Sequence, residues 1–327
     1  MPLASQPLES TLPQSLNRRS FLRLGAAVGA ASLAPRFLRA QASLPDRVLQ
    51  GRAAALNAPI KTTKLYDNVY LLSNDVGGNM ALQTGPEGNI LIDSSFSTAA
   101  PKVLQAVAGV SHDAPDALIN THWHYDHTDG NEALRAAGFS IFAHRKTRER
   151  MSSAQPIPFF HLVMPASPSA ALPTITFDDS MHAWHNGDSL DLVHFNPAHT
   201  DTDIYIHFHN ANVLHVGDIW FNNRYPFIDE ATGGNINGMI EGSAKALSVA
   251  DKDTKIIPGH GPLGSKSDLE KYHDMLSASR DKVAALKASG ASEQEAIAKK
   301  PLAATDAQWG MGFVNGDAFT GIIYRSL

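Results

Sequence analysis

The stretch "THWHYDHTDG", residues 121–130, places three histidines and two aspartates within ten positions, directly after the apolar run "DALIN". So many polar groups at the end of a buried strand need partners, because an unpaired polar group away from water is costly. Read as His122-x-His124-x-Asp126-His127, the stretch can present two imidazoles to one point and a carboxylate with a third imidazole to a second point. Catalytic zinc sites take such His and carboxylate ligands and keep one position open. Two ions about 3.5–4 Å apart can share a bridging hydroxide and clamp both oxygens of a displacement. The chain contains no cysteine, so any metal site must be built from imidazole and carboxylate alone.

The cluster is too small to complete two coordination spheres, so further ligands are expected at other strand ends. Three candidates sit at loop junctions: His199 in "NPAHTDTD", Asp218 in "VLHVGD" and His260 in "IIPGHGP". This ordered set resembles the metallo-β-lactamase superfamily over roughly residues 61–285. The resemblance implies a four-layer αβ/βα sandwich, two mixed β-sheets with helices outside, and a dinuclear centre on one edge. It would give His122, His124 and His199 to a first ion, and Asp126, His127 and His260 to a second, with Asp218 bridging. An Asp at the bridging position is similar to the glyoxalase II and lactonase branches, whereas zinc β-lactamases usually carry Cys or Ser there.

The chemistry this implies is metal-assisted hydrolysis by two Zn²⁺, with Fe or Mn also compatible with the donors. A bridging hydroxide would attack the carbonyl of a small ester, thioester, lactone or β-lactam, and Asp126 would orient it and relay a proton. Thr121, Thr200 and Asp201 are placed to support the ligands by hydrogen bonding. For a substrate pocket, aromatic walls with a few polar anchors are expected. Trp123, Trp220, Phe221, Arg224 and Asn235 are the candidates, and "PFFHLV" at 158–163 could overhang them as an apolar lid. Two other readings stay open: an iron-dependent redox enzyme on the same scaffold, and a non-catalytic periplasmic metal-binding partner protein.

The elements that must position these residues follow from pattern. Short apolar runs bounded by Gly, Pro and Asn ("NVYLLSN", "NMALQTG", "NILIDSS") read as strands. "TAAPKVLQAVAGV" reads as a helix with Pro in its first turn, "GNEALRAAG" as a short helix, and "SIFAH" as another strand. The proline-rich segment 152–173 interrupts this rhythm as an insertion. A run of strands follows, and in "DIYIHFH" the alternation puts Ile204, Ile206 and Phe208 on one face. A long helix ends at Gly290. This alternation of strands and helices is an α/β layered pattern. The expected organisation is a leader over 1–42, a linker or lead-in over 43–60, the main domain over 61–290, and a C-terminal helical extension over 291–327 packed on it.

"NRRSFLRLGAAVGAASLAP" carries Arg18 and Arg19 ahead of a short apolar run, and "AQA" follows as a small-x-small cleavage pattern near Ala42–Ser43. It resembles a twin-arginine export signal, which implies recognition by that export machinery and a periplasmic destination. The apolar run is too short to span a bilayer stably. Without residues 1–42 the chain has 22 basic and 31 acidic residues, a net charge of −9. An acidic chain without a basic stripe excludes nucleic acid as the natural partner and leaves a small molecule as substrate.

Overall fold

The structure is a computed structural model describing residues 44–327, and the expected leader over 1–42 lies outside the described residues. Apolar runs with every residue buried, such as those at residues 80–83 and 89–92, must lie between two covering layers. They do so in a seven-stranded sheet of β1 (Lys61–Lys64), β2 (Val69–Ser73), β3 (Met80–Gln83), β4 (Asn89–Ile92), β5 (Pro115–Asn120), β6 (Ser140–His144) and β9 (Ile175–Phe177), in that spatial order. The insertion supplies a small hairpin of β7 (Gln155–Ile157) and β8 (Leu162–Met164). A five-stranded sheet follows, with β10 (Ser180–His185), β11 (Asp188–His194), β12 (Ile204–Phe208), β13 (Val213–His215) and β14 (Lys255–Ile257).

Both sheets are mixed. The pairs from β1 to β4 are antiparallel, whereas β4–β5, β5–β6 and β6–β9 are parallel. In the second sheet only β13–β14 is parallel. The strand at 175–177, which sequence pattern groups with the later strands, joins β6 in the first sheet instead.

The two sheets meet face to face. Leu71, Ile90, Ile92 and Ile119 of one pack with Leu190, Ile204, Ile206 and Phe208 of the other in one buried cluster. On its outer side the first sheet is covered by helices Ala100–Ala108 and Asn131–Ala136 through Val103, Val107 and Leu134. The second is covered by helices Ile236–Val249, Lys266–Ala288 and Gly316–Ser326 through Met239, Leu276 and Phe319. The layers therefore run αβ/βα, as the sequence pattern and the resemblance imply. Among the described residues no helix is long and apolar enough to cross a membrane.

Parallel pairing decides where the site can form. Because β4 runs with β5 and β13 runs with β14, the loops after each pair leave on the same side. Backbone hydrogen bonds then tie these loops to one another. Gly259 N–H donates to the Gly217 carbonyl at 2.7 Å, Asn79 N–H to Gly259 at 2.8 Å, and Ser94 N–H to His127 at 2.8 Å. Ile204 N–H donates to Thr121 and Asp229 N–H to His199, each at 2.9 Å.

The lead-in corrects the sequence reading. Residues 46–57 form a helix, Asp46–Asn57, rather than a loose linker. Arg52 makes a two-pronged bond to Asp129 at 2.6 and 2.9 Å, and Val48 and Ala55 are fully buried. The helix escapes notice in the sequence because only two of its positions face the core. Arg52→Ala is expected to cost about 1–3 kcal/mol, the usual range for leaving a partly buried acceptor without its charged donor. Denaturant unfolding, with hydrogen exchange over 46–57, checks this. A helix that exchanges no faster in the variant would show that the pair does not anchor it.

Candidate metal centre

The loops that leave the paired strands carry the expected residues to one place. His122, His124, His199 and Asp218 offer ligand atoms that all lie within 4.8 Å of one another, and so do those of Asp126, His127 and His260. Asp218 joins the two groups. Its Oδ2 is 3.4 Å from His199 Nε2 and 3.4 Å from His260 Nε2, and its Oδ1 is 3.2 Å from His127 Nε2. Asp126 Oδ2 lies 3.3 Å from His260 Nε2. The first group is fully enclosed, while Asp126 and His260 keep 21% and 16% of their side chains exposed. The centre therefore opens through the second group.

The outward nitrogens of four imidazoles are already committed. His199 Nδ1–H donates to the Phe227 carbonyl at 2.8 Å, and His124 Nε2–H donates to Asp229 at 3.1 Å. Asp93 Oδ2 accepts from His127 Nδ1–H at 2.7 Å and from Thr121 Oγ1–H at 2.7 Å, so Thr121 Oγ1 accepts from His122 Nδ1–H at 3.0 Å. Each ring is then left with a lone pair aimed inward. His199 Nε2 and His124 Nδ1 face each other at 2.8 Å, and His127 Nε2 and His260 Nε2 at 3.4 Å. Two lone pairs cannot bond each other; they need a proton or a cation between them.

His122 Nε2 and Asp218 Oδ1 are buried without a hydrogen-bond partner, the nearby His127 lying off the hydrogen-bond line. Buried polar atoms orphaned in this way fit metal coordination, as does the donor set of five imidazoles and two carboxylates.

Without a cation, protons serve in its place. Burial disfavours the charge on His260 and His127, yet Asp218 outweighs it, holding His260 up at about 9 and His127 well above its ordinary value. Burial likewise opposes ionisation of Asp126, but the charges of His127 and His260 bring it down to about 2. Asp218 is driven well below the carboxylate range by the same imidazoles. His199 falls to about 4 and His122 well below its ordinary value, chiefly through burial, so both are neutral and ready to ligate.

Two glycines permit this crowding. A Cβ on Gly259 would stand 1.8 Å from Asp218 Oδ1, and one on Gly78 would stand 2.1 Å from the His127 ring. No side chain fits at either position.

Of the expected supports, only Thr121 touches a ligand. Thr200 bonds Asp203 and Thr202 instead, and Asp201 pairs with Arg150. The roles given to Thr200 and Asp201 fall to Asp229 and Asp93. Asp93 ends the run "NILID" with φ of 62°, and a carboxylate directly after a buried strand was the signal available in the sequence.

A cavity of about 360 Å³ opens over the centre, lined in part by Tyr125, Phe160, Phe221, Arg224, Phe227 and Phe313. Of the pocket candidates, Phe221 and Arg224 line this cavity, and the "PFFHLV" segment contributes Phe160. Trp123, Trp220 and Asn235 do not. Both Trp rings are buried in the core beneath the loops, and the Asn235 side chain caps helix Ile236–Val249 by accepting from Gly238 N–H.

Comparison with known proteins places this geometry. The family model described as "Metallo-beta-lactamase superfamily" matches residues 73–260. Among solved structures, a metallo-beta-lactamase from Pontibacter korlensis superposes with a TM-score of 0.56 at 17% identity, covering 67% of this chain and 99% of that one. The DIM-1 metallo-beta-lactamase gives 0.53 at 16% identity, covering 67% and 97%. At such identities the likeness is one of fold.

Because His260 and His127 hold protons in the metal-free centre at neutral pH, a binding cation must expel them. Zinc uptake at pH 7 is therefore expected to release protons, and affinity to fall as pH falls. Calorimetry in buffers of different ionisation enthalpy reads the release, and identical enthalpies in all buffers would contradict it. Asp229→Asn removes the acceptor that orients His124 and is expected to weaken metal affinity about 10–100-fold, measured by chelator competition.

Proposed function

Because this chain belongs to the metallo-β-lactamase superfamily, we propose that it is a dinuclear zinc hydrolase acting on a small ester, thioester, lactone or β-lactam. The observation that carries this reading is Asp218, which reaches both ligand groups at the floor of a cavity sized for a small molecule. His122, His124 and His199 would hold one ion, Asp126, His127 and His260 the other, and Asp218 would span them. Two ions bound there supply a water acidified to a pKa of about 7 and a Lewis acid for the substrate carbonyl.

The protein's own residues do the remainder. Asp126 is the carboxylate of the set most open to the cavity, and it stays ionised, so its free oxygen can accept a proton from water and return it to a leaving group. Phe221 stacks on the His260 ring with centroids 5.1 Å apart, walling that ligand on the cavity side. Phe160, Phe227 and Phe313 give the substrate an apolar bed and exclude competing water. A carboxylate at position 218, rather than a thiol or hydroxyl, supports the ester, thioester and lactone members of the class over the β-lactams.

The paired Arg18 and Arg19 before an apolar run support export by the twin-arginine route to the periplasm, with cleavage near Ala42–Ser43. That route carries folded cargo, which suits a centre assembled from loops scattered over 140 residues.

Metal analysis of protein purified without added metal, followed by a panel of esters, thioesters, lactones and β-lactams, tests the reading. Two zinc ions per chain and chelator-sensitive hydrolysis are expected. Iron with no hydrolysis would move the protein to redox chemistry on the same scaffold. Asp126→Asn is expected to lower kcat/KM by about 10²–10⁴-fold with circular dichroism unchanged. Retained turnover would remove Asp126 from the mechanism.

A further inference from the structure

Helix Asp46–Asn57 precedes the family-matched stretch 73–260, yet it forms one wall of the cavity through Arg47, Gln50, Gly51 and Ala54. Arg47 places its guanidinium carbon 3.9 Å above the Phe160 ring and 5.3 Å from that of Phe313. Stacking occupies the faces of the planar cation and leaves its N–H edge free to bond. Arg224 lines the same cavity, with its stem along Gly312, where an added Cβ would come within 3.4 Å of Arg224 Cδ. The two arginines thus flank the 312–313 turn.

What sets them apart is the absence of a carboxylate or carbonyl acceptor, the Tyr125 hydroxyl being the acceptor beside Arg47. Among the described residues Arg52, Arg145, Arg150 and Arg325 bond carboxylates, Arg135 and Arg148 bond backbone carbonyls, and Arg280 bonds Asp281 and Asn237. Arg47 and Arg224 have no carboxylate or carbonyl partner among the described residues, and both line the cavity that opens on the metal centre. Asp75 is the only carboxylate in that lining outside the metal set, so the rim carries excess positive charge. Two forked donors beside phenylalanine walls match a planar two-oxygen anion on an apolar body.

We propose that Arg47, brought by the lead-in helix, and Arg224 form a carboxylate-binding subsite, so that the substrate is an anionic carbonyl compound with an apolar or aromatic body. This rests on the hydrolase reading for the reaction, but not for the binding. Arg52 makes the subsite part of the fold, since its bond to Asp129 fixes the helix to the turn that carries Asp126 and His127.

The test has two arms on the metal-loaded protein. In the first, calorimetry compares phenylacetate with phenylacetamide. Wild type is expected to favour the acid, and the preference to fall about tenfold in Arg47→Gln and in Arg224→Gln, as for loss of a charge-assisted bond. Arg47→Lys should recover part of it, because charge is kept and the fork is lost. Arg145→Gln, on the surface, should leave it unchanged. In the second arm, kcat/KM is compared for phenyl hydrogen succinate and its methyl ester, and the acid-to-neutral ratio should fall by a similar factor in Arg47→Gln. Hydrolysis of neither ester would count against the hydrolase reading, and the binding ratio would still decide the subsite. An acid preference identical in wild type, Arg47→Gln and Arg224→Gln would overturn the subsite and leave the hydrolase reading standing.

Discussion

A carboxylate with 4% exposure, faced by four imidazoles from three separate segments, is the constraint on which this molecule turns. Asp218 cannot be buried as a lone charge, because the desolvation cost is too great without compensation. Nor can the imidazoles around it all be satisfied by one another, since the outward nitrogens of His122, His127 and His199 are committed and the inward lone pairs face one another. The centre is a matched set of donors that is stable only with positive charge in its midst. Protons on His127 and His260 can supply part of that charge, and divalent cations supply it better.

Everything nearby serves to hold this unfavourable grouping in place. Parallel pairing of β4 with β5 and β13 with β14 sends the ligand loops out on a common side, and the cross-loop backbone bonds fix their spacing. Asp93 acts twice, orienting His127 directly and His122 through Thr121. It does so from a left-handed backbone conformation that costs free energy for a non-glycine residue. Glycine at 259 and 78 lets Asp218 and His127 pass closer to the backbone than any side chain would allow. These devices stabilise the position of donors, not the fold as a whole.

The layered fold and the seven gathered donors were legible in the sequence because each leaves a local mark. A buried strand is a short apolar run, and a donor at its end is a polar residue out of place. What sits between elements left no such mark. The sheet joined by Ile175–Phe177 depends on pairing with β6 across the insertion, which periodicity cannot reveal. Trp123 stands between two ligand candidates, whose side chains it opposes, and Trp220 follows Asp218 across the 3-10 turn Gly217–Ile219, which periodicity does not reveal; both rings went beneath the loops. Asn235 has the polarity of a pocket anchor, but its position before an apolar helical run makes it an N-cap. Asp229 and Arg47 act on partners 105 and 113 residues away, His124 and Phe160, and only the folded chain shows such distances closing.

The lead-in helix shows how the two halves of the site divide their work. The enclosed group, His122, His124 and His199, owes its order to partners buried in the sandwich. The open group has solvent on one side and borrows part of its enclosure from outside the sandwich. Arg52 bonds Asp129, which also accepts from Ser97 N–H, so the turn bearing Asp126 and His127 is gripped by the helix and by the loop after β4 together. That arrangement puts the most open ligands under a wall that the family-matched stretch does not contain. A wall added from outside the family-matched stretch can change the residues that line the cavity without disturbing the donors beneath, because the helix is held by Ala55 in the core, by the Arg52–Asp129 pair and by Thr98 Oγ1–H donating to the Arg52 carbonyl, and by no bond to a metal-ligand candidate. Substrate preference in this chain is therefore expected to be carried by residues that the metal chemistry does not constrain.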